Sequence, residues 1–351
     1  MIMRKVLSLV FLLSSTASED SILSLYERIV STSYATLSSR DLWALLTFLR
    51  ADAADIEHLA VLWKEAVAQQ DEHANKIYPH KGTLPSYYRL GIERSDVFRV
   101  QRATSEDAIK IPGHVIEHID PTTINGANAS FLRIHKQWPV AADTNSVFVA
   151  IQRLVALLMA RHHARTADAD EDGGGSSGST GSTESPPAEY EAMVSGYRVR
   201  RSAEQDGDPG PEGVHQDAAD LTVVIMMRRQ NVAEGSGGNR IWSLDQPCGK
   251  PDEDSLQGAK RDGRLLLSHT LYERFDALFV LDREVKHEAR QIFQADEAAG
   301  PAIRDVLTIE VRRPRQQLRS HRLPDNNTDG DALQQVEEAS GILVLGPKDE
   351  I

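Results

Sequence analysis

Pro211-Glu212-Gly213-Val214-His215-Gln216-Asp217 is followed, three residues on, by Leu221-Thr222-Val223-Val224-Ile225-Met226-Met227. The second stretch is a continuous apolar run, the pattern of a buried strand. Side chains alternate along extended chain, so His215 and Asp217 point to one side at the mouth of that strand. An imidazole beside a carboxylate is two thirds of the two-histidine, one-carboxylate set that holds non-haem Fe(II) and leaves coordination positions open. The tripeptide alone decides nothing. The chain has twelve histidines, about one His-x-Asp is expected by chance, and a second copy stands at His118-Ile119-Asp120.

The surroundings carry the weight. Met193 to Arg200 alternates like a strand, and Asn231 to Gly238 is a Gly-rich turn. Arg240 to Leu244, Arg264 to Ser268, Asp276 to Asp282 and Val306 to Val311 are further short strands. Many short strands separated by turns suggest a sandwich or jelly roll. The fold class is α+β, a jelly-roll (cupin-like) β-domain with helices packed outside it. In a jelly roll distant strands lie side by side, so a third ligand is sought beyond the next strand. His287 lies just past Asp282 and can meet His215 and Asp217. Arg304 opens the final strand, where its fork can take a carboxylate through two parallel hydrogen bonds. Thr308 lies on the same strand face and could add a hydroxyl. The competing reading of Arg304 is a structural ion pair with Asp305 or Glu310. Rival histidines fit less well: His118-Ile119-Asp120 runs into Pro121, and His269 has no such arginine after it.

Taken together, Pro-Glu-Gly-Val-His-Gln-Asp, a strand ending in Arg228-Arg229-Gln230-Asn231-Val232, Gly237-Gly238, His287 and Arg304-Asp305-Val306-Leu307 resemble the 2-oxoglutarate/Fe(II) dioxygenase family that includes bacterial L-isoleucine 4-hydroxylase. The resemblance covers residues 209 to 313 clearly and 84 to 158, around Arg133, more faintly. It implies a double-stranded β-helix with His215, Asp217 and His287 as iron ligands. It also implies Arg304 on the distal carboxylate of 2-oxoglutarate, with ascorbate as a reductant. The implied reaction hydroxylates a small molecule, a free amino acid by analogy, as 2-oxoglutarate is decarboxylated to succinate. Two alternatives stay open: a non-catalytic jelly-roll binding protein, and a metal dioxygenase that uses no keto acid. Ala218 replaces the family's usual glycine after His-x-Asp. The turn into Gly237-Gly238 is slightly long, and an acidic loop, Pro247 to Gly263, lengthens the gap to His287.

The rest of the chain sets the frame. Residues 1 to 19 read as a secretory leader: Arg4 and Lys5, then an apolar Val6 to Leu13, then Ser15-Thr16-Ala17. That implies a secretory or organellar lumen, with the cytoplasm as the alternative. The sequons Asn128-Ala129-Ser130 and Asn326-Asn327-Thr328 fit secretion. Residues 20 to 79 form a helical segment, with Ser38 as a cap and Leu42, Leu45, Leu46 and Leu49 on one face. Ile56, Leu59, Ala60 and Trp63 make a second such face, and His58 and His73 read as surface. Residues 80 to 320 are the β-domain, opening with strands in 84–89 and 97–100. His114 and His118 share helical spacing but sit between prolines, which favours a loop. Asn145 to His163 is a helix, with Phe148, Ile151, Val155 and Leu158 on one side. Residues 166 to 188 are a low-complexity surface insertion, and residues 321 to 351 are a tail. The net charge of −13 argues against nucleic-acid partners. Cys248 is the single cysteine, which excludes an internal disulfide and Cys-rich metal clusters. No stretch of the chain is apolar for long enough to span a bilayer.

Overall fold

The computed structural model describes residues 18–77, 87–100, 108–111, 116–118, 132–134, 144–172, 188–203, 206–209, 213–217 and 219–312. Residues 1–17 of the leader, both sequons, His114, Asp120, Ala218 and the tail lie outside the described residues, as do positions 173–187 of the insertion.

The chain opens with helix α1 (Glu19–Thr32), whose Ile22, Leu25, Tyr26 and Ile29 are buried at helical spacing. It ends at Ser33, which takes a left-handed conformation and turns the chain into strand β1 (Tyr34–Leu37). This strand corrects the reading of residues 20 to 79 as helical throughout. Four residues show no helical periodicity, and edge pairing decides their state. Helix α2 (Ser39–Phe48) follows, with Ser38 accepting from the Asp41 amide at 3.2 Å, as the sequence indicates. Leu42, Leu45 and Leu46 are buried, while Leu49 is half-buried at the helix end. Helix α3 (Ala54–Ile77) buries Leu59, Leu62 and Trp63 and leaves His58 exposed. Strand β2 (Tyr87–Val100) is one long strand where two short ones are expected; the break shows as a register shift between Leu90 and Arg94. Strands β3 (Ala108–Ile111), β4 (Ile116–His118) and β5 (Leu132–Ile134) follow, so His118 lies in a short ribbon.

Helix α4 (Ser146–Asp172) begins at Asn145, whose side chain accepts from the Phe148 amide at 3.1 Å. It buries Phe148, Ile151, Val155 and Leu158. Its last turns take in the start of the expected insertion. The β-rich half contains β6 (Ala188–Arg201), β7 (Leu221–Gln230), β8 (Asn239–Trp242), β9 (Leu265–His269), β10 (Ala277–Val280), β11 (Lys286–Ala289) and β12 (Ala302–Arg312). Between β8 and β9, part of the expected loop is helix α5 (Glu253–Arg261). Asp252 caps it by accepting from the Ser255 amide at 2.7 Å. Its many charges hide the two residues that bury, Leu256 and Ala259.

Seven antiparallel strands form the major sheet, in the order β1-β10-β7-β12-β6-β2-β3. A minor sheet has the order β11-β8-β9, and β4 pairs with β5. Alternation along the strands divides the core. Val223, Ile225, Phe279, Leu307 and Ile309 face outward onto the helices, in one cluster with Leu25, Leu46 and Phe148. Met226, Leu278, Val280 and Val306 face the other way and meet Ile241 of the minor sheet. The helices therefore cover the outside of the β-domain, and the space between the sheets is left to the site. Among the described residues, no helix is long and apolar enough to cross a membrane.

Candidate metal centre

Gly213, Val214 and His215 do not continue β7; they form a short ribbon of their own. Val214 exchanges both backbone hydrogen bonds with Gly249, at 2.9 and 3.0 Å. His215 does the same with His287, at 3.0 and 2.9 Å. Two residues 72 positions apart are thus clamped side by side by main-chain bonds alone. Gly213 makes this possible. Its φ is +63°, and a Cβ there would lie 2.4 Å from the Gly249 backbone, so no other residue fits without moving the chain.

The three side chains converge. Asp217 places one carboxylate oxygen 3.4 Å from His215 Nε2 and the other 3.1 Å from His287 Nε2. One ligand atom from each of the three lies within 4.8 Å of the others. Each imidazole is held from behind. His215 Nδ1 lies 2.8 Å from the Gly213 carbonyl, and His287 Nδ1 lies 2.8 Å from a carboxylate oxygen of the fully buried Asp282. Acceptors at both Nδ1 atoms fix the tautomers, leaving both Nε2 lone pairs for an ion. This donor set fits the Fe(II) facial triad.

The charges fit it too. Burial opposes ionisation of Asp217, but His287 and His215 outweigh it and hold the carboxyl well below its usual range. Burial likewise opposes a charge on His287, but Asp217 and Asp282 outweigh it and hold the imidazole well above its ordinary value. Without an ion, His287 is therefore expected to hold a proton that metal binding displaces. Metal affinity is expected to rise with pH by about tenfold per unit, levelling off once pH passes that raised value. Calorimetric titration of the metal at several pH values, in buffers of different ionisation enthalpy, would show the slope and the released proton.

Arg304 is buried on the inner face of β12, with Val306 and Thr308 after it. It makes no ion pair with Asp305, which points the opposite way to Arg198 (2.7 and 2.6 Å) and to Trp63 Nε1 (3.1 Å). Instead Arg304 Nη2 donates to Asn239 Oδ1 at 3.2 Å, and its Nε is buried without an acceptor. Burial, and then the neighbouring Arg229, lower its pKa to about 10. An unmet buried guanidinium fits an anionic group such as the far carboxylate of 2-oxoglutarate. The half-buried Thr308 has its hydroxyl 3.4 Å from the Ser195 carbonyl. His269 closes β9 and His118 sits in β4, so neither joins the cluster.

The chain matches the 2OG-Fe dioxygenase family over residues 83–310, about two thirds of its length. It belongs to that family. The dioxygenase resembles solved structures across most of its length. A bsmA homologue from Methylobium petroleophilum PM1 aligns with a TM-score of 0.55 and 19% identity, over 83% of this chain and 93% of the other. The Fe(II)/α-ketoglutarate-dependent dioxygenase TqaL aligns with a TM-score of 0.52 and 18% identity, over 85% and 89%. Among curated proteins, the bifunctional enzyme flvA of Aspergillus flavus is 29% identical over 123 residues. That match takes in 34% of this chain and spans 14% of the relative's length. The fold is accordingly a double-stranded β-helix, and the enzyme is a 2-oxoglutarate-dependent dioxygenase that uses Fe(II) and 2-oxoglutarate.

Sequence reasoning missed Asp282 behind His287, and Asn239 and Arg229 beside Arg304. Asp282 lies in the turn between β10 and His287, and its nearness to His287 in sequence was its one available signal. Replacing Asp282 by Ala is expected to weaken metal binding roughly 10–100-fold while the three candidate ligands stay in place. Metal titration of the purified variant would measure this, and an unchanged affinity would deny Asp282 the orienting role.

Proposed function

We propose that this dioxygenase hydroxylates a small molecule, a free amino acid, with His215, Asp217 and His287 as the iron ligands and Arg304, aided by Thr308, on the far carboxylate of 2-oxoglutarate. The observation that carries the site assignment is the convergence of two Nε2 atoms and one carboxylate within 4.8 Å, each imidazole braced from behind. The substrate class rests on the resemblance of residues 209 to 313 to the family that includes L-isoleucine 4-hydroxylase. Iron in this setting supplies oxidation of a C–H bond by dioxygen, coupled to decarboxylation of 2-oxoglutarate to succinate. The protein's own residues orient and exclude. The Gly213 carbonyl and Asp282 keep both Nε2 atoms turned to the ion, and Asp217 stays ionised to balance its charge. Arg304, buried on the inner face of β12, would hold the co-substrate's far end. The leader pattern of residues 1 to 19 supports a luminal location, which an N-terminal tag would test.

Succinate release tests the reading. Purified protein receives Fe(II), 2-oxoglutarate, ascorbate as reductant and a pool of free amino acids. Succinate should require 2-oxoglutarate and the pool, and should vanish in His215→Ala. Turnover that proceeds without 2-oxoglutarate would overturn the assignment of Arg304. Binding of Fe(II) and 2-oxoglutarate with no turnover on any amino acid would overturn the substrate class and favour a binding protein or another substrate.

A further inference from the structure

Arg304 is not the sole cation at the inner end of the space between the sheets. Arg229, on β7, is its direct register partner across the β7–β12 pair. Opposed residues of an antiparallel pair share a face. The ladder slips between Asp305 and Val306, so Met227 is skipped and Arg229, not Arg228, stands opposite Arg304. The two side chains crowd one point: a Cβ added at Gly237 would lie 3.3 Å from Arg304 Cδ and 3.4 Å from Arg229 Nη1.

Like charges side by side in a buried place cost free energy unless something neutralises them. Among the described residues, no carboxylate is hydrogen-bonded to either guanidinium. Arg229 Nη2 donates to the carbonyls of Ala233 (2.9 Å) and Ser236 (2.8 Å), and its guanidinium carbon sits 5.2 Å from the centre of the Tyr272 ring. These contacts aim the group without neutralising it. Three buried donor atoms then remain without acceptors: Arg304 Nε, Arg229 Nη1 and Asn239 Nδ2. Two carboxylate oxygens offer about four lone-pair sites, enough to meet all three.

We propose that Arg229, together with Asn239, is a second anchor for the far carboxylate of the 2-oxo-acid co-substrate, so that the pocket holds this group between two guanidiniums and selects dicarboxylic over monocarboxylic 2-oxo acids. This rests on the assignment of Arg304 above. Arg229 is a binding and specificity residue, and its hydrogen bonds to the turn preset its direction.

The test is anaerobic calorimetric titration of the Fe(II)-loaded protein with 2-oxoglutarate and with 2-oxobutyrate, which lacks the far carboxylate. Wild type, Arg229→Met, Arg229→Lys and Arg304→Met are compared, each checked first for wild-type Fe(II) affinity. Arg229→Met should weaken 2-oxoglutarate binding roughly tenfold to a hundredfold, the worth of hydrogen bonds to a charged group. It should leave 2-oxobutyrate binding unchanged, so discrimination between the acids collapses. Arg229→Lys should recover part of the loss, and in turnover the loss should appear in KM for 2-oxoglutarate with little change in kcat. If Arg304→Met loses 2-oxoglutarate while Arg229→Met keeps both affinity and discrimination, Arg229 merely braces the turn and the proposal fails alone. If Arg304→Met also binds like wild type, the pocket assignment fails as a whole. Should Arg229→Met not fold, Arg229→Lys decides: affinity and discrimination equal to wild type would overturn the role of the guanidinium.

Discussion

Replacing Asp217 by Ala is expected to remove Fe(II) binding and succinate release together. Asp217 is the sole carboxylate of the three-residue cluster, and its two oxygens face both imidazoles. Without it the site offers two neutral donors and no charge to balance a dication. The loss should therefore exceed the roughly 10–100-fold that removing an outer partner costs. The cluster has a second dependence on Asp217. Burial opposes a proton on His287, and Asp217 is the largest of the groups that outweigh burial. In Asp217→Ala the imidazole should titrate lower and the metal-free variant should hold fewer protons near neutrality. Metal titration and NMR titration of the His287 ring would report the two effects separately. Wild-type metal affinity in the variant would show that the ion sits elsewhere.

Asp305→Ala is expected to cost about 3–5 kcal/mol of stability, the usual result of removing one partner of a buried ion pair. Its carboxylate is fully buried and accepts from Arg198 Nε and Nη2 and from Trp63 Nε1. One change deprives a buried guanidinium of its counter-charge and an indole of its acceptor. It also cuts a link between α3 and the major sheet. Chemical denaturation should show a lower midpoint with little change in slope. Metal affinity at the remote cluster should stay as in wild type, because Asp305 faces the helices and not the space between the sheets. A loss under 1 kcal/mol would mean that the packing of Trp63, not its polar link, holds α3 in place.

The contrast between Arg304 and Asp305 shows where the sequence stops being legible. Adjacent in the chain, they point to opposite faces of β12. Alternation makes that foreseeable, and it places Arg304 and Thr308 together. It cannot say which face meets helices and which meets the other sheet, because both are buried. Residues 20 to 79 show the same limit. Two amphipathic helices declare themselves through Leu42, Leu46, Leu59 and Trp63, whose spacing is local. The edge strand Tyr34–Leu37 does not, because its partner is Ala277–Val280, about 240 residues away.

The sequence by itself determined the class of fold and singled out His215, Asp217 and His287 as the candidate metal set. Ligand chemistry is a property of residue type, and His215, Asp217 and His287 stand in strand context that spacing reveals. Only the tertiary structure decided how they are held. The His215–His287 clamp, the close approach of Gly213 to Gly249 and Arg229 beside Arg304 all join residues far apart in the chain. Such contacts are set by register and by one irregularity in the β7–β12 ladder. A shift of one residue would turn every side chain to the other face, and no local pattern encodes it.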